Sequence, residues 1–391
     1  MKQYYYFPVL KTRPSEILAY ENLSDSIKED ILPIIEMTGA LGYTYPKNYK
    51  IKNLQGTKRP GDISKKRKKI LDLMENRKFI LDITDDDSLK YYGLSENSGD
   101  LLDHSNGYQA WINFLTVDDQ FRKQVIPTIQ FNTNYVSDLL LQISTLANIF
   151  DYIAIKLPIF LSSSTKFDSS VQFNSQVQNI IDLISQQINI KKLILILDFG
   201  YISDFSKYEQ LIKTGISYIK DVSKLKAVIP LSSSYPNFVV TVKKPIEITE
   251  NMVSSLVIKE LKSSSGATNI YHGDFAGIHP TKYEMGGGGW IPRIDYIVRD
   301  IHTKEPKQYD YFRGEKRNTS TEYQRLANQV NNAFNYLPIT EISAFGDTAI
   351  LKKCQNTSEG KVPSYWIAVR SNLYMTMECL YLKQRGSFLV L

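Results

Sequence analysis

Eight apolar runs of strand length recur between residues 5 and 275, most of them separated by stretches whose apolar positions repeat at helical spacing. They are Tyr5–Leu10, Ile31–Met37, Phe79–Ile83, Val125–Phe131, Tyr152–Leu157, Leu193–Phe199, Ala227–Leu231 and Ala267–His272. Several are apolar almost throughout, as in Leu193-Ile194-Leu195-Ile196-Leu197, which suits strands covered on both faces. The segments between them read as helices: Pro14–Lys28 opens with a proline near its first turn, and Val171–Gln187 is apolar at helical intervals. Strand then helix, repeated, predicts a parallel sheet with right-handed crossovers, and eight such units favour closure into a (β/α)8, TIM-like barrel. Pro33, Pro127 and Pro230 each remove a ladder donor, so they belong at a strand's first residue or at a bulge.

The pattern changes after the eighth run. Gly286-Gly287-Gly288-Gly289 reads as a hinge, Trp290–Asp300 and Gln308–Gly314 as short strands, and Thr321–Phe334 as an amphipathic helix. Ser364–Arg370 and Tyr374–Lys383 read as further strand. The expected architecture is therefore an α/β barrel over residues 1–285, with a basic insertion near 50–70, and a C-terminal β-rich α+β extension over 286–391 that packs on the barrel or caps it.

Composition narrows this picture. Of 391 residues, 42% are hydrophobic and 12% aromatic, enough to fill a core and unlike a disordered chain. No apolar run approaches the roughly 20 residues that cross a bilayer, and Met1-Lys2-Gln3-Tyr4-Tyr5-Tyr6 lacks the pattern of a signal peptide, so a cytoplasmic protein without membrane partners is expected. Two cysteines, Cys354 and Cys379, exclude a disulfide framework and read as buried thiols. The four histidines, His104, His272, His279 and His302, show no ligand spacing that would build a histidine metal centre.

The net charge of +6 is localised. Lys58 to Lys69, KRPGDISKKRKK, holds seven basic residues and one acid, which matches the charge of the whole chain. With Ser64 as N-cap, Lys65, Lys66, Arg67, Lys68 and Lys69 fall in the first turns of a helix, where each exposed cation opposes the dipole at about 0.3–1 kcal/mol. Such a run points to a polyanion, and nucleic acid held through its phosphates is the expected partner; a solvated charged face is the plainer reading. Tyr309, Tyr311, Phe312 and Arg313 could offer stacking surfaces for single strands or simply form core.

In a barrel of this kind, chemistry collects where strands end and the following loops begin. The polar residues there are Lys11 and Arg13, Glu36, Asp82 with Asp85 and Asp86, Gln130 with Asn132, Lys156, Asp198, Ser232 to Ser234, and Asp274. Glu36, Asp82, Asp198 and Asp274 are the candidate catalytic acids, and Glu36, Asp198 and Asp274 the candidate ligands of Mg²⁺ or Mn²⁺. Lys11, Arg13, Gln130, Lys156 and Arg313 are the candidate substrate contacts, for a nucleotide or nucleic acid. A metal-dependent phosphodiester hydrolase is one reading, a glycoside hydrolase with a carboxylate pair another, and a Schiff-base Lys156 a third. Against all three, acids and lysines at strand ends also pair across a rim, and Asp85 and Asp86 could cap the next helix. The four-glycine run lacks the context of a phosphate loop, and Ser232 to Ser234 lack a nucleophile elbow.

Phe7-Pro8-Val9-Leu10-Lys11, Leu32-Pro33-Ile34-Ile35-Glu36-Met37, Gly273-Asp274-Phe275-Ala276, Phe312-Arg313-Gly314, Tyr323-Gln324-Arg325-Leu326-Ala327 and Phe345-Gly346-Asp347 occur in an order and spacing that resembles the Beta protein family of bacteriophage and bacterial genomes. The similarity spans nearly the whole chain. Members often carry an Asn-His-His-Ile-Thr-like segment near the C-terminus, whereas here Asn372-Leu373-Tyr374-Met375-Thr376 stands, so a role for those histidines does not carry over. The resemblance implies a phage-associated setting, defence against phage in particular, and leaves enzyme or non-catalytic sensor with a partner effector open.

Overall fold

The computed structural model describes residues 1–44, 57–90, 93–96, 99–130, 134–158, 170–202, 205–206, 209, 222–236, 250–251, 254–281, 291–314 and 319–391. Asn132 and the run Gly286–Gly289 lie outside the described residues.

Each of the eight apolar runs between residues 5 and 275 contributes a strand or borders one. In chain order these are β1 (Phe7–Lys11), β2 (Ile34–Met37), β3 (Phe79–Ile83), β4 (Val125–Pro127), β5 (Ile153–Pro158), β6 (Leu193–Tyr201), β7 (Ala227–Ser233) and β8 (Gly273–Asp274). They form a five-stranded parallel sheet, β8-β1-β2-β3-β4, and a three-stranded one, β5-β6-β7. Single parallel bridges connect them, Thr128 to Ala154 past the end of β4 and Val228 of β7 to Ile270 ahead of β8. The fold is mixed α/β.

Parity along the strands decides what each side chain meets. Phe7 and Val9, Ile34, Ile80, Ile126, Ala154, Ile194 and Ile229 pack into one core shared by both sheets. Their neighbours, among them Leu10, Ile35, Leu81, Ile155 and Leu195, join a larger core that includes the helices. Those helices include α1 (Pro14–Glu21), α2 (Ser64–Met74), α3 (Val136–Ile149), α4 (Ser170–Gln187) and α5 (Ser254–Ser265).

Three expectations need correction. The helix expected over Pro14–Lys28 is two: α1 ends at Glu21, and Ser24 accepts the Ile27 amide to start a second over Asp25–Asp30. The eighth strand was expected at Ala267–His272, but there only Ile270 makes a bridge and β8 follows it. Gly266, at φ +64°, ends the preceding helix, and the Asn269 amide donates to the Val222 and Leu225 carbonyls at 2.9 Å each, so a side chain reinforces the two backbone hydrogen bonds, Val228 to the Asn269 carbonyl and Tyr271 to the Val228 carbonyl at 2.9 Å each, that tie this segment to β7. The third concerns residues 364–383, expected as strand.

That segment lies inside one helix, α8 (Pro363–Arg385), which follows α6 (Thr319–Asn331) and α7 (Phe345–Cys354). Pro363 opens α8 and Gly386, left-handed at φ +69°, closes it. It is buried on nearly every side, with Trp366, Leu373, Met375 and Cys379 inside, and a helix buried all round shows no apolar period that separates it from strand. The extension is thus less β-rich than expected: β9 (Arg293–Arg299) pairs antiparallel with β10 (Pro306–Arg313), which also pairs with Glu250–Asn251, and three helices accompany them. It is seated against the chain's beginning. Asn372 donates to the Ala19 carbonyl at 3.0 Å, and Leu389–Val390 pairs antiparallel with Gln3–Tyr4. Among the described residues no helix is long and apolar enough to cross a membrane.

Candidate functional site

The strand parity that buries Val9, Ile34, Ile80, Ala154 and Ile196 places Lys11, Glu36, Asp82, Lys156 and Asp198 two residues further on, at the C-terminal ends of β1, β2, β3, β5 and β6. Four of these five touch. Glu36 receives the Lys11 ammonium on Oε2 at 2.6 Å and the Lys156 ammonium on Oε1 at 2.8 Å. Lys156 Nζ is also 2.7 Å from Asp82 Oδ2 and 2.9 Å from Asp85 Oδ2. The other Asp82 oxygen accepts from the Thr128 hydroxyl at 2.7 Å and from Gln130 Nε2 at 3.2 Å. Gln130 is fixed in turn by Gln142 of α3, which bonds both its amide and its carbonyl at 2.8 Å.

Burial alone would push the Glu36 carboxyl up, but Lys11 and Lys156 outweigh it and hold it below the usual carboxylate range. Burial lowers the Lys156 ammonium, yet Asp82, Asp85 and Glu36 reverse that and keep it firmly protonated. Asp82 is raised by burial, which Lys156 only partly offsets against Asp85 and Glu36. Asp198 feels the same field with no direct ammonium contact among the described residues: burial raises it, Lys156 lowers it, Glu36 and Asp85 raise it, and the carboxyl stands at about 6. Its Oδ1 accepts the Gly200 amide at 2.9 Å, where β6 bulges through a left-handed glycine.

This arrangement bears on the expected chemistries. Lys156 Nζ occupies the position that a cation shared by Glu36, Asp82 and Asp85 would take, so the donor set does not fit Mg²⁺ or Mn²⁺. Among the described residues no group of three His, Cys, Asp or Glu side chains is arranged to hold a metal ion. A Schiff-base role for Lys156 requires a neutral amine, and three carboxylates oppose that.

Other candidates fall elsewhere. Asp274 pairs in register with Pro8, so it faces the side of its strand that Tyr6 and Leu10 face, away from Glu36. There Tyr6 donates to Oδ1, the Tyr374 hydroxyl of α8 donates to Oδ2 at 2.7 Å, and the Ala276 amide donates at 2.8 Å. His272 Nε2 lies 3.4 Å from Asp274 and 3.4 Å from Glu378, whose carboxyl burial pushes up to about 7. Arg13 is committed to Glu16, with Nε donating at 2.7 Å. Arg313 sits at the end of β10 in register with Arg293. Ser233 donates to the Ile278 carbonyl at 2.9 Å. Asp86, as expected, accepts from the Ser88 amide at 3.1 Å at the start of a short helical turn.

The basic run divides. Asp62, not Ser64, holds the start of α2, accepting the Ser64 amide at 2.9 Å and its hydroxyl at 2.6 Å. Lys65, Lys68 and Lys69 are exposed, with Lys68 3.2 Å from Asp72. Arg67 turns inward over the Phe114 ring at 5.0 Å. Lys66 turns inward too, and its Nζ donates to the Thr12 carbonyl and hydroxyl at 3.2 Å each and to the Thr38 hydroxyl at 2.8 Å. Thr12 and Thr38 follow β1 and β2 directly, so Lys66 reaches the rim beside Lys11. Burial, with Lys69 nearby, lowers this ammonium to about 8.

Sequence reasoning passed over Thr84, whose hydroxyl donates to Glu36 Oε2 at 3.3 Å, and over Thr128 and His279. Continued parity past Asp82 and Ile126 would have found the two threonines. The His279 imidazole, 4.9 Å from the Tyr201 ring with Nδ1 accepting the Thr281 amide at 3.1 Å, is lowered by burial and by Lys11; it follows β8 in a turn with no sequence signal.

Protein beta of Enterobacteria phage P4 is 24% identical to this chain over 383 residues, covering 96% of this chain and 93% of that protein. Among solved structures, a Bacteroides thetaiotaomicron VPI-5482 protein provisionally assigned as an alpha-L-fucosidase is 15% identical over 70% of this chain and 88% of its own, with a TM-score of 0.42. The spore cortex-lytic enzyme SleL of Bacillus megaterium QM B1551 is 10% identical over 93% and 76%, with a TM-score of 0.30. Likenesses at these scores carry no argument about this chain. The family model for Beta protein, by contrast, matches residues 6–378, and on that match the chain belongs to the Beta protein family.

Proposed function

We propose that the eight strands close as a (β/α)8 barrel and that its mouth binds a phosphate-bearing ligand, a nucleotide or the end of a nucleic acid, in a cytoplasmic phage-associated or phage-defence setting. The two bridges, Thr128 to Ala154 and Val228 to Ile270, and the core common to both sheets support closure. One observation carries the ligand: Lys66 brings a half-buried ammonium to the rim, and its hydrogen-bond partners among the described residues are hydroxyl and carbonyl oxygens. A half-buried cation whose partners are neutral oxygens gains more from an anionic ligand than a fully solvated one does.

Since Glu36, Asp82 and Asp85 are committed to lysines, recognition is the leading reading, with the effect exerted by a partner protein. A second reading, metal-free acid–base catalysis on the bound ligand, is favoured by Asp198, because it and Glu36 are pushed in opposite directions from ordinary carboxyl values. A glycosidase-like pair is less supported, since both Glu36 oxygens already accept ammonium groups.

The test is thermal stability with nucleoside mono-, di- and triphosphates, with and without Mg²⁺. A ligand at about 100 times its Kd adds about 2.7 kcal/mol of stability. We expect a nucleotide response that needs no Mg²⁺ and is lost in Lys66→Gln. No response to any nucleotide, or an equal response in Lys66→Gln, overturns the reading.

A further inference from the structure

Helix α2 carries its lysines on two sides with different surroundings. Lys66 faces inward onto Thr12 and Thr38 at the strand ends, while Lys65, Lys68 and Lys69 stand in solvent at i, i+3 and i+4, one continuous face of the helix. The Lys68–Asp72 pair, both partners more than 60% exposed, is too open to quench that face. The helix has no acid in its first turn, and three exposed cations beside its start make a strip of positive potential that leads to Lys66 and the rim. The strip plays no part in docking the helix, which Ile70, Leu73 and Met74 do by burial, with Arg67 against Phe114.

Building on the proposed phosphate-binding mouth, we propose that the ligand is a polymer: a single nucleic-acid strand whose backbone phosphates lie along Lys65, Lys68 and Lys69 and whose terminal nucleotide passes Lys66 into the mouth. The end enters, and no internal stretch does, because both faces of the strands are filled below the mouth. Phe7, Ile34, Ile80 and Ile229 fill the inner side, and among the described residues they leave no passage through. A free nucleotide would use Lys66 alone. A strand adds the outer lysines, so affinity grows with length over the first few phosphates and falls steeply with salt.

The experiment compares a labelled 12-residue oligothymidylate, by fluorescence anisotropy at several salt concentrations, with thymidine monophosphate, by thermal shift. The proteins are the full chain, Lys66→Gln, and the triple variant Lys65→Gln/Lys68→Gln/Lys69→Gln. The exposed triple variant is expected to fold as the parent does. It should bind the oligomer at least tenfold more weakly, with a log–log salt slope shallower by about two, since each single-strand phosphate left without its lysine removes roughly 0.7, while its monophosphate response is unchanged. Lys66→Gln should lose the monophosphate response and keep most of the oligomer's salt slope. Equal oligomer binding by the triple variant and the parent overturns the polymer inference. A monophosphate response without tighter oligomer binding overturns it too, but leaves the mouth reading standing. Oligomer binding that depends on the outer lysines, with no monophosphate response in any protein, overturns the entry of the strand end and the mouth reading together, leaving a surface track.

Discussion

Lys156 brings one ammonium within 2.9 Å of Glu36, Asp82 and Asp85, in a position only 4% exposed. Taking it away leaves three carboxylates facing one another with Lys11 as the remaining cation. Lys156→Met should therefore cost about 3–5 kcal/mol, the usual penalty for removing one partner from a buried ionic group, read as a drop in the urea midpoint. Adding Glu36→Gln should recover part of that loss, whereas an additive or larger loss would show that Lys156 acts by packing alone. Asp198 makes the opposite case. Its carboxyl is raised from 3.8 to about 6, so the folded state holds the proton more tightly than the unfolded chain. The stability this provides is complete below about pH 4 and is lost as pH rises through about 6. Asp198→Asn should accordingly be more stable than the parent by about 1–2 kcal/mol at pH 8, a discounted figure because solvent reaches part of the group, and the gain should vanish by pH 4. Tm at the two pH values decides it; a gain that persists at pH 4 refutes the assignment.

Among the elements, β8 depends closely on a single residue. A Cβ on Gly273 would come within 2.5 Å of Ile229 Cγ2, 2.8 Å of Leu231 Cδ2 and 3.1 Å of the Phe7 carbonyl. The missing side chain lets β7 and β1 flank β8 closely. Gly273→Ala should overpack this junction and cost about 1–3 kcal/mol, measurable by thermal unfolding; a neutral result would mean that the two strands can part freely. The short length of β8 also explains where sequence reading worked and where it stopped. Lys11, Glu36, Asp82 and Lys156 were legible because each ends a run long enough to set parity, and parity puts them on the face of the inward isoleucines. Asp274 was not. A two-residue strand gives no run from which to read a side, and its acid turned out to serve the seam with α8. Lys66 was hidden for another reason: composition reports a run of cations, and only the helix's rotation separates the inward one from the rest. The helix α8 defeated pattern reading by being buried all round, and its polar positions Arg370, Tyr374 and Glu378, one turn apart, meet Asp295 of β9 and the Gly277 carbonyl, Asp274 of β8, and His272 just ahead of β8.

For the molecule as a whole, the first and last residues share one structure. Leu389 is 2% exposed and packs with Tyr4, Phe7 and Val9 at the end of the inner core opposite the charged site, while Lys2 and Leu391 exchange backbone hydrogen bonds at 3.0 and 3.1 Å. Leu389→Ala should cost about 2–4 kcal/mol, seen as a lower Tm and as faster hydrogen exchange at Tyr4; slow exchange in the variant would show that the N-terminal strand is held without it. There is a consequence for synthesis. Tyr4 and Ala19 leave the ribosome hundreds of residues before the Leu389 and Asn372 that complete their surroundings. Until those later residues have been made, the strand at Gln3–Tyr4 keeps an open edge and the inner core an uncovered apolar end, so the N-terminal units wait for partners that in the case of Ala19 lie 353 residues further along the chain.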